Sequence, residues 1–279
     1  MAKNRPSGVG IGLRLQFAEE LVSTKATNAS FVEIAPENYL GVGGYRARLL
    51  AMAKERWPVV CHGLCGDLAG AAPLDQEYLT ELKQFLRDAD VHWYSDHLCY
   101  THLAGVETHD LIALPLHEGA VRRAAKRIRE VQSFLELPMA IENVSAYMRM
   151  PGSEMREEDF VAAVVREADC HLLLDINNVY VNSINFGFDA KSYVDALPLE
   201  RVLQIHIAGH HRESEDLLID THGASIADPV YDLLCYTLRK MAAVPPILLE
   251  RDSNIPPLIE IEQELETLRI CVEQCHARA

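Results

Sequence analysis

Six apolar runs in this 279-residue chain each end on a side chain able to bind a metal ion: His62, His97, Glu142, Asp175, His206 and Glu250. The most telling run is Leu203-Gln-Ile-His-Ile-Ala-Gly-His210, which carries His206 toward its carboxyl end and adds a second histidine after a glycine. Downstream, Asp220-Thr-His222 offers two more donors, whose one-residue spacing puts them on one side of an extended segment. Every donor in the set is nitrogen or oxygen. That chemistry suits iron, manganese or zinc rather than copper(I), and two imidazoles with one carboxylate and open positions is the face of non-haem iron(II) sites.

Taken singly, each residue has a plainer explanation. A strand-end histidine is more often a hydrogen-bonded core residue, and an Asp or Glu before a helix is more often its N-cap. Recurrence at equivalent places on six runs is what argues for metal. Asn143, Asn177, Asn178, His210 and Asp252 each lie within a few residues of a candidate ligand and read as groups that orient it. His102, His109, His117, His171 and His276 read as solvated or packed.

Strand-length apolar runs alternate with helix-period segments along the whole chain, the pattern of a parallel α/β sheet. Strands are expected at Gly8 to Leu13, Phe31 to Pro36, Pro58 to Gly63, His92 to Leu98, Pro138 to Asn143, His171 to Asn178, Arg201 to Gly209 and Pro246 to Asp252. Helices are expected at Phe17 to Lys25, Tyr45 to Arg56, Gln76 to Ala89, Glu118 to Leu135, Glu157 to Ala168 and Ile259 to Cys275. Eight such units without a linker indicate a single-domain (β/α)8 barrel of the TIM type over residues 1–279, with a doubly wound open sheet as the alternative.

In a barrel the carboxyl ends of all strands face one pocket. Strand order then groups His62, His97 and Glu142 on consecutive strands and Asp175, His206 and Glu250 on the next three. Glu142 sits between the groups, where a carboxylate can bridge two ions, and Asp220 with His222 can complete a third position. Two or three ions are expected, with Glu142, Asp175 and His206 at the catalytic centre. The connections Cys99 to His117 and Val179 to Asp189 read as loops and candidate lids.

A formal charge of −15 disfavours a nucleic-acid surface, which needs clustered Lys and Arg, and would welcome a basic peptide. No apolar run approaches the ~20 residues of a membrane span, and Met1 to Gly10 has no apolar signal segment. The seven cysteines, an odd number without a CxxC pair, read as reduced thiols of a cytoplasmic protein.

Several blocks together resemble a known family: Gly8-Val-Gly-Ile-Gly-Leu-Arg14, Pro36-Glu-Asn-Tyr39, His62-Gly, Ser95-Asp-His-Leu98, Ile141-Glu-Asn143, Leu174-Asp-Ile-Asn-Asn-Val-Tyr-Val-Asn182, Gln204-Ile-His-Ile-Ala-Gly-His210, Asp220-Thr-His-Gly223 and Leu249-Glu-Arg-Asp252. In order, and over nearly the whole chain, they resemble the multinuclear non-haem iron-dependent oxidative enzymes, formerly domain of unknown function 692. The resemblance implies a TIM barrel with two or three irons that uses molecular oxygen on cysteine-containing precursor peptides made ribosomally, in several members with a small partner protein that recognises the peptide leader. Carried over by motif, the iron ligands are His62, His97, Glu142, Asp175, His206, Asp220, His222 and Glu250. Ala35 departs from the pattern, standing where many relatives have a histidine.

Two rival readings use the same donors. One is a divalent-metal hydrolase or isomerase of the endonuclease IV or xylose isomerase type, which the acidity and the lack of an evident catalytic Lys weaken. The other is a non-catalytic metal-binding protein that escorts a peptide.

Overall fold

Eight parallel strands close into one barrel in the computed structural model, which describes residues 5–103 and 106–276. In chain order the elements are β1 (Val9–Gly12), α1 (Leu15–Ser23), β2 (Val32–Ile34), α2 (Gly44–Arg56), β3 (Val59–Gly63), α3 (Gln76–Asp88), β4 (Tyr94–His97), β5 (Tyr100–Leu103) and β6 (Val106–Ile112). They continue as α4 (Glu118–Leu135), β7 (Met139–Glu142), α5 (Glu157–Ala168), β8 (His171–Asp175), α6 (Ile176–Phe186), α7 (Ala190–Ala196) and β9 (Val202–Ile207). Last come β10 (His211–Arg212), β11 (Leu218–Ile219), α8 (Asp228–Leu238), β12 (Ile247–Leu249) and α9 (Leu258–His276). The barrel runs β1-β12-β9-β8-β7-β4-β3-β2, so the expected (β/α)8 topology is the one that forms.

The strands are buried on both faces because helices cover the outside, which is why they read as continuous apolar runs. Helix placement follows local chemistry. Asp75 caps α3 by accepting from Glu77 N and Tyr78 N at 2.9 and 3.1 Å, and α3 then buries Leu79, Leu82 and Leu86 on one stripe. His117 caps α4 in the same way through Nδ1, so its packed reading stands.

Alternation along the strands sorts the barrel interior. Phe31, Val60, Trp93 and Leu248 form a buried apolar cluster of their own. Two residues further along three of those strands stand Glu33, His62 and Glu250, and four further along β4 stands His97. The period of two thus puts a hydrocarbon plug and a polar layer on the same inner face, plug below and donors above.

Three local expectations are corrected. Val179 to Asp189 is not a loop: the strand expected through Asn178 ends at Asp175, and α6 begins at once, burying Val179, Val181, Asn182 and Ser183. Its asparagines face inward to bond the neighbouring chain, with Asn182 donating to Val144 O at 3.0 Å and accepting from Ala146 N at 2.8 Å. The second correction concerns the Cys99 to His117 connection, which contains the antiparallel pair β5–β6; its residues 104–105 lie outside the described residues, as do residues 1–4 of the amino-terminal stretch.

The third concerns the thiols. Cys235 of α8 and Cys275 of α9 are disulfide-bonded, their Cα atoms brought 5.2 Å apart by the packing of the two helices, within disulfide reach. No described helix is long and apolar enough to cross a membrane.

Candidate metal centre

The barrel register does most of the positioning. His97 on β4 pairs with Glu142 on β7, and Asp175 on β8 pairs with His206 on β9, so side chains more than thirty residues apart start from neighbouring Cα positions. Gly63, next to His62, has no room for a Cβ because Tyr94 Oη and Asp96 press on it. That close approach lets β3 and β4 present His62 and His97 side by side.

His62 Nε2, His97 Nε2 and Glu142 Oε2 converge. The three separations are 2.9 Å for His62 to Glu142, 3.1 Å for His97 to Glu142 and 3.1 Å between the two imidazole nitrogens. The far side of each ring is committed elsewhere: His97 Nδ1 donates to Gly63 O at 3.1 Å, and His62 Nδ1 lies 2.9 Å from Ser95 Oγ. Both Nε2 atoms therefore point at one spot. Three donors held about 2.1 Å from an ion at right angles stand about 3.0 Å apart, which is the spacing seen.

Glu142 also reaches the second group. Its Oε1 lies 3.3 Å from His206 Nδ1, and His206 Nδ1 lies 3.1 Å from Glu250 Oε2. Asp175 completes this cluster, whose donor atoms all lie within 4.8 Å of one another. Asp175 Oδ1 accepts from Asn178 N at 2.6 Å and caps α6, so the N-cap explanation holds for one oxygen while Oδ2 is left free. Indeed Glu142 Oε2, Asp175 Oδ2, His206 Nδ1 and Glu250 Oε2 are all buried without a well-directed hydrogen bond. Buried polar atoms are nearly always paired, and four orphans around one point fit a cation.

The third group is His222 with its carboxylates. His222 Nε2 is 2.7 Å from Asp220 Oδ1, and Nδ1 is 3.1 Å from Asp252 Oδ2 and 3.5 Å from Glu250 Oε2. Asp252, expected only to orient a ligand, thus stands among the donors themselves beside His222 and Glu250. The other residues expected to orient ligands make the following contacts. Asn143 exchanges two 3.0 Å hydrogen bonds with the Asp175 backbone, Asn178 donates to Asn143 O at 3.1 Å, and Asn177 links His210 Nδ1 at 2.8 Å to Asp220 Oδ1 at 2.7 Å.

The charges respond to one another. Burial alone would suppress the His62 imidazolium, but the Glu142 carboxylate beside it prevails and raises its pKa to about 9. Burial and the charge on His62 together lower His97 to about 4. Burial opposes ionisation of Glu142, yet His62, His97 and His206 hold its carboxyl well below the usual range. Asp175 moves the other way, raised by burial and by Glu142.

Two residues in contact with the candidate donors were given no role in the sequence reading. Glu33 on β2, buried, accepts at Oε2 from His206 Nε2 at 3.1 Å and from Gln204 Nε2 at 2.6 Å. The signal for it was parity, since Glu33 follows Phe31 by two on an inward-facing strand. Arg14 donates to Asp252 and to Arg251 O and lies 3.7 Å from Glu250 Oε1, a cation on the anionic rim. A cavity of about 580 Å³ opens over the donors, with Cys65, Glu107 and His109 on its walls and only the Ala35 methyl from that position of the second strand. His109, read as solvated or packed, is exposed at the cavity wall.

A family model described as "RiPP precursor modification enzyme MbnB/TglH/ChrH" matches residues 8–273. Among curated proteins, a UPF0276 protein of Acinetobacter baylyi is 46% identical over 96% of this chain and 92% of its own length. A UPF0276 protein of Pseudomonas aeruginosa is likewise 46% identical, over 96% of this chain and 94% of its length. Solved structures share the fold at low identity: endonuclease IV from Thermus thermophilus has a TM-score of 0.59 at 14% identity, covering 96% of this chain and 100% of that one. An L-ribulose 3-epimerase has a TM-score of 0.62 at 13% identity, covering 98% and 96%.

Proposed function

We propose, because this chain belongs to the MbnB/TglH/ChrH family of RiPP precursor modification enzymes, that it is a multinuclear non-haem iron oxidase acting on the cysteines of a ribosomally made precursor peptide with molecular oxygen. The observation that carries the metal reading is the sharing of Glu142, whose two oxygens face His62 and His97 on one side and His206 on the other. One ion would be held by His62, His97 and Glu142, a second by Glu142, Asp175, His206 and Glu250, and a third by Asp220, His222 and Asp252. Bound irons would supply one-electron chemistry with oxygen and a soft site for a substrate thiolate.

The chain's own residues do the rest. Asn143 and Asn178 fix the Asp175 backbone, Gly63 O and Ser95 hold the two imidazoles in one tautomer, and Arg14 offsets the charge of Glu250 and Asp252. The β5–β6 hairpin contributes Glu107, His109, Asp110 and Leu111 to the cavity wall, where it would limit access of water to the site. The acidic surface favours a basic peptide or a small leader-recognition partner.

The test is anaerobic purification with iron analysis, then oxygen uptake in the presence of a cysteine peptide. Two or more irons per chain and peptide-dependent oxygen uptake are expected, both lost in Glu142→Gln without loss of the fold. Turnover that proceeds without oxygen would instead reveal a hydrolase or isomerase, and metal binding without any turnover an escort protein.

A further inference from the structure

A second cluster of donors lies outside the barrel, where α8 packs on α9. Cys235 stands on α8, and Cys271 and Cys275 stand on consecutive turns of α9. Spacing of i and i+4 puts the latter two on one helix face, so both point at Cys235. Cys271 Sγ lies 3.5 Å from Cys235 Sγ and 3.8 Å from Cys275 Sγ. All three sulfurs fall within 4.8 Å of one another, half-buried or buried. The barrel centre makes no use of them.

Three thiolates at about 2.3 Å from one ion in a plane stand about 4.0 Å apart, close to the two open edges of this triangle. The third edge is closed by the Cys235–Cys275 disulfide, and opens on reduction. No imidazole or carboxylate joins the trio among the described residues. Structural zinc is almost always closed by four protein ligands, and the described residues offer three here; three soft thiolates in one plane suit monovalent copper.

We propose that in the reduced chain Cys235, Cys271 and Cys275 form a three-thiolate site for one copper(I) ion, separate from the barrel centre. Binding exchanges three thiol protons for the ion, with no change in oxidation state. A dithiol opens the site by reducing the disulfide with two electrons and two protons, itself leaving as a cyclic disulfide. The oxidised chain keeps one thiol of the three and is the internal control.

The experiment uses the full chain with its barrel centre first loaded with iron, reduced, and titrated anaerobically with copper(I) against bicinchoninate. Copper X-ray absorption then reads the donor shell. One equivalent with a shell of three sulfurs is expected. Cys271→Ser and the pre-oxidised wild type should each bind at least ~100-fold more weakly, since losing even an outer partner of a metal site costs ~10–100-fold. Equal copper affinity in Cys271→Ser, nitrogen or oxygen in the shell, or displacement of the copper by equimolar zinc(II) overturns the assignment. Cys235→Ser, checked for folding by circular dichroism, decides the matter if Cys271→Ser does not fold.

Discussion

Glu33 Oε2 lies 3.1 Å from His206 Nε2, across the ring from the carboxylates of Glu142 and Glu250 that face Nδ1 at 3.3 and 3.1 Å. A proton kept on Nε2 by that carboxylate would leave Nδ1 to face the site. Gln204 Nε2 donates to the same Glu33 oxygen, and Trp93 Nε1 donates to Gln204 Oε1 at 3.2 Å, which ties the arrangement to the hydrocarbon plug. Outer partners of metal-bound histidines are worth ~10–100-fold in affinity. Glu33→Gln, which keeps the shape but can face His206 with an amide donor, is expected to weaken one ion by that factor. Metal titration should show the loss confined to one equivalent; uniform affinity across all equivalents would refute the positioning role.

Metal removal should be felt in stability. Without a cation, the buried Glu142 and Glu250 carboxylates face each other around His206 with orphaned oxygens. An ion that binds only the native state at 100 times its dissociation constant stabilises by about 2.7 kcal/mol. For a chain of this size that is roughly 5–11 °C in Tm. Anaerobic iron(II) is expected to raise the Tm of chelator-treated protein by this much, and to do so far less in Glu142→Gln. Equal rises in both proteins would separate the stabilising ion from Glu142.

Much of the site was legible because strand ends are marked by composition. Buried parallel strands read as apolar runs, so a His, Asp or Glu that ends one stands out, and strand order alone placed Glu142 between two groups. The misses have physical causes. Glu33 sits inside its run rather than at the end, and only the inward parity shared with Phe31 marks it. In α6 the asparagines that look like loop residues are buried and bond the backbone of residues 143–146, a tertiary use that local propensity does not show. The Cys235–Cys275 bond depends on the contact between α8 and α9, which spacing along the chain does not encode.

Arg251, which follows the candidate ligand Glu250, has a structural task. Its side chain, only 6% exposed, donates from Nη2 to Glu264 Oε2 of α9 at 2.6 Å and from Nε at 3.0 Å, while Glu264 Oε1 accepts from Ile226 N at 2.9 Å. Breaking a buried pair on one side leaves an uncompensated charge, at a cost of ~3–5 kcal/mol. Glu264→Gln should destabilise by about that much in urea melts, and Arg251→Leu with Glu264→Leu by less than either single change. Additive losses in the double variant would show that the two residues do not act as a pair.

Glu157, at the first turn of α5, gives a pH signature away from the candidate ligands. Burial pushes its carboxyl up to about 7, although Tyr193 Oη at 3.1 Å and Asn182 Nδ2 at 3.0 Å favour the charged form. The native state therefore holds a proton that the unfolded chain releases near its ordinary value of about 4.3. Between those two values the native state binds more protons than the unfolded one, so this contribution to stability is full below about pH 4 and declines as pH rises through about 7, then levels off. Glu157→Gln, which mimics the protonated side chain, should remove that decline. Calorimetric Tm values from pH 5 to 8 are expected to fall more steeply for the wild type than for the variant; parallel slopes would place the native Glu157 pKa in the ordinary carboxylate range.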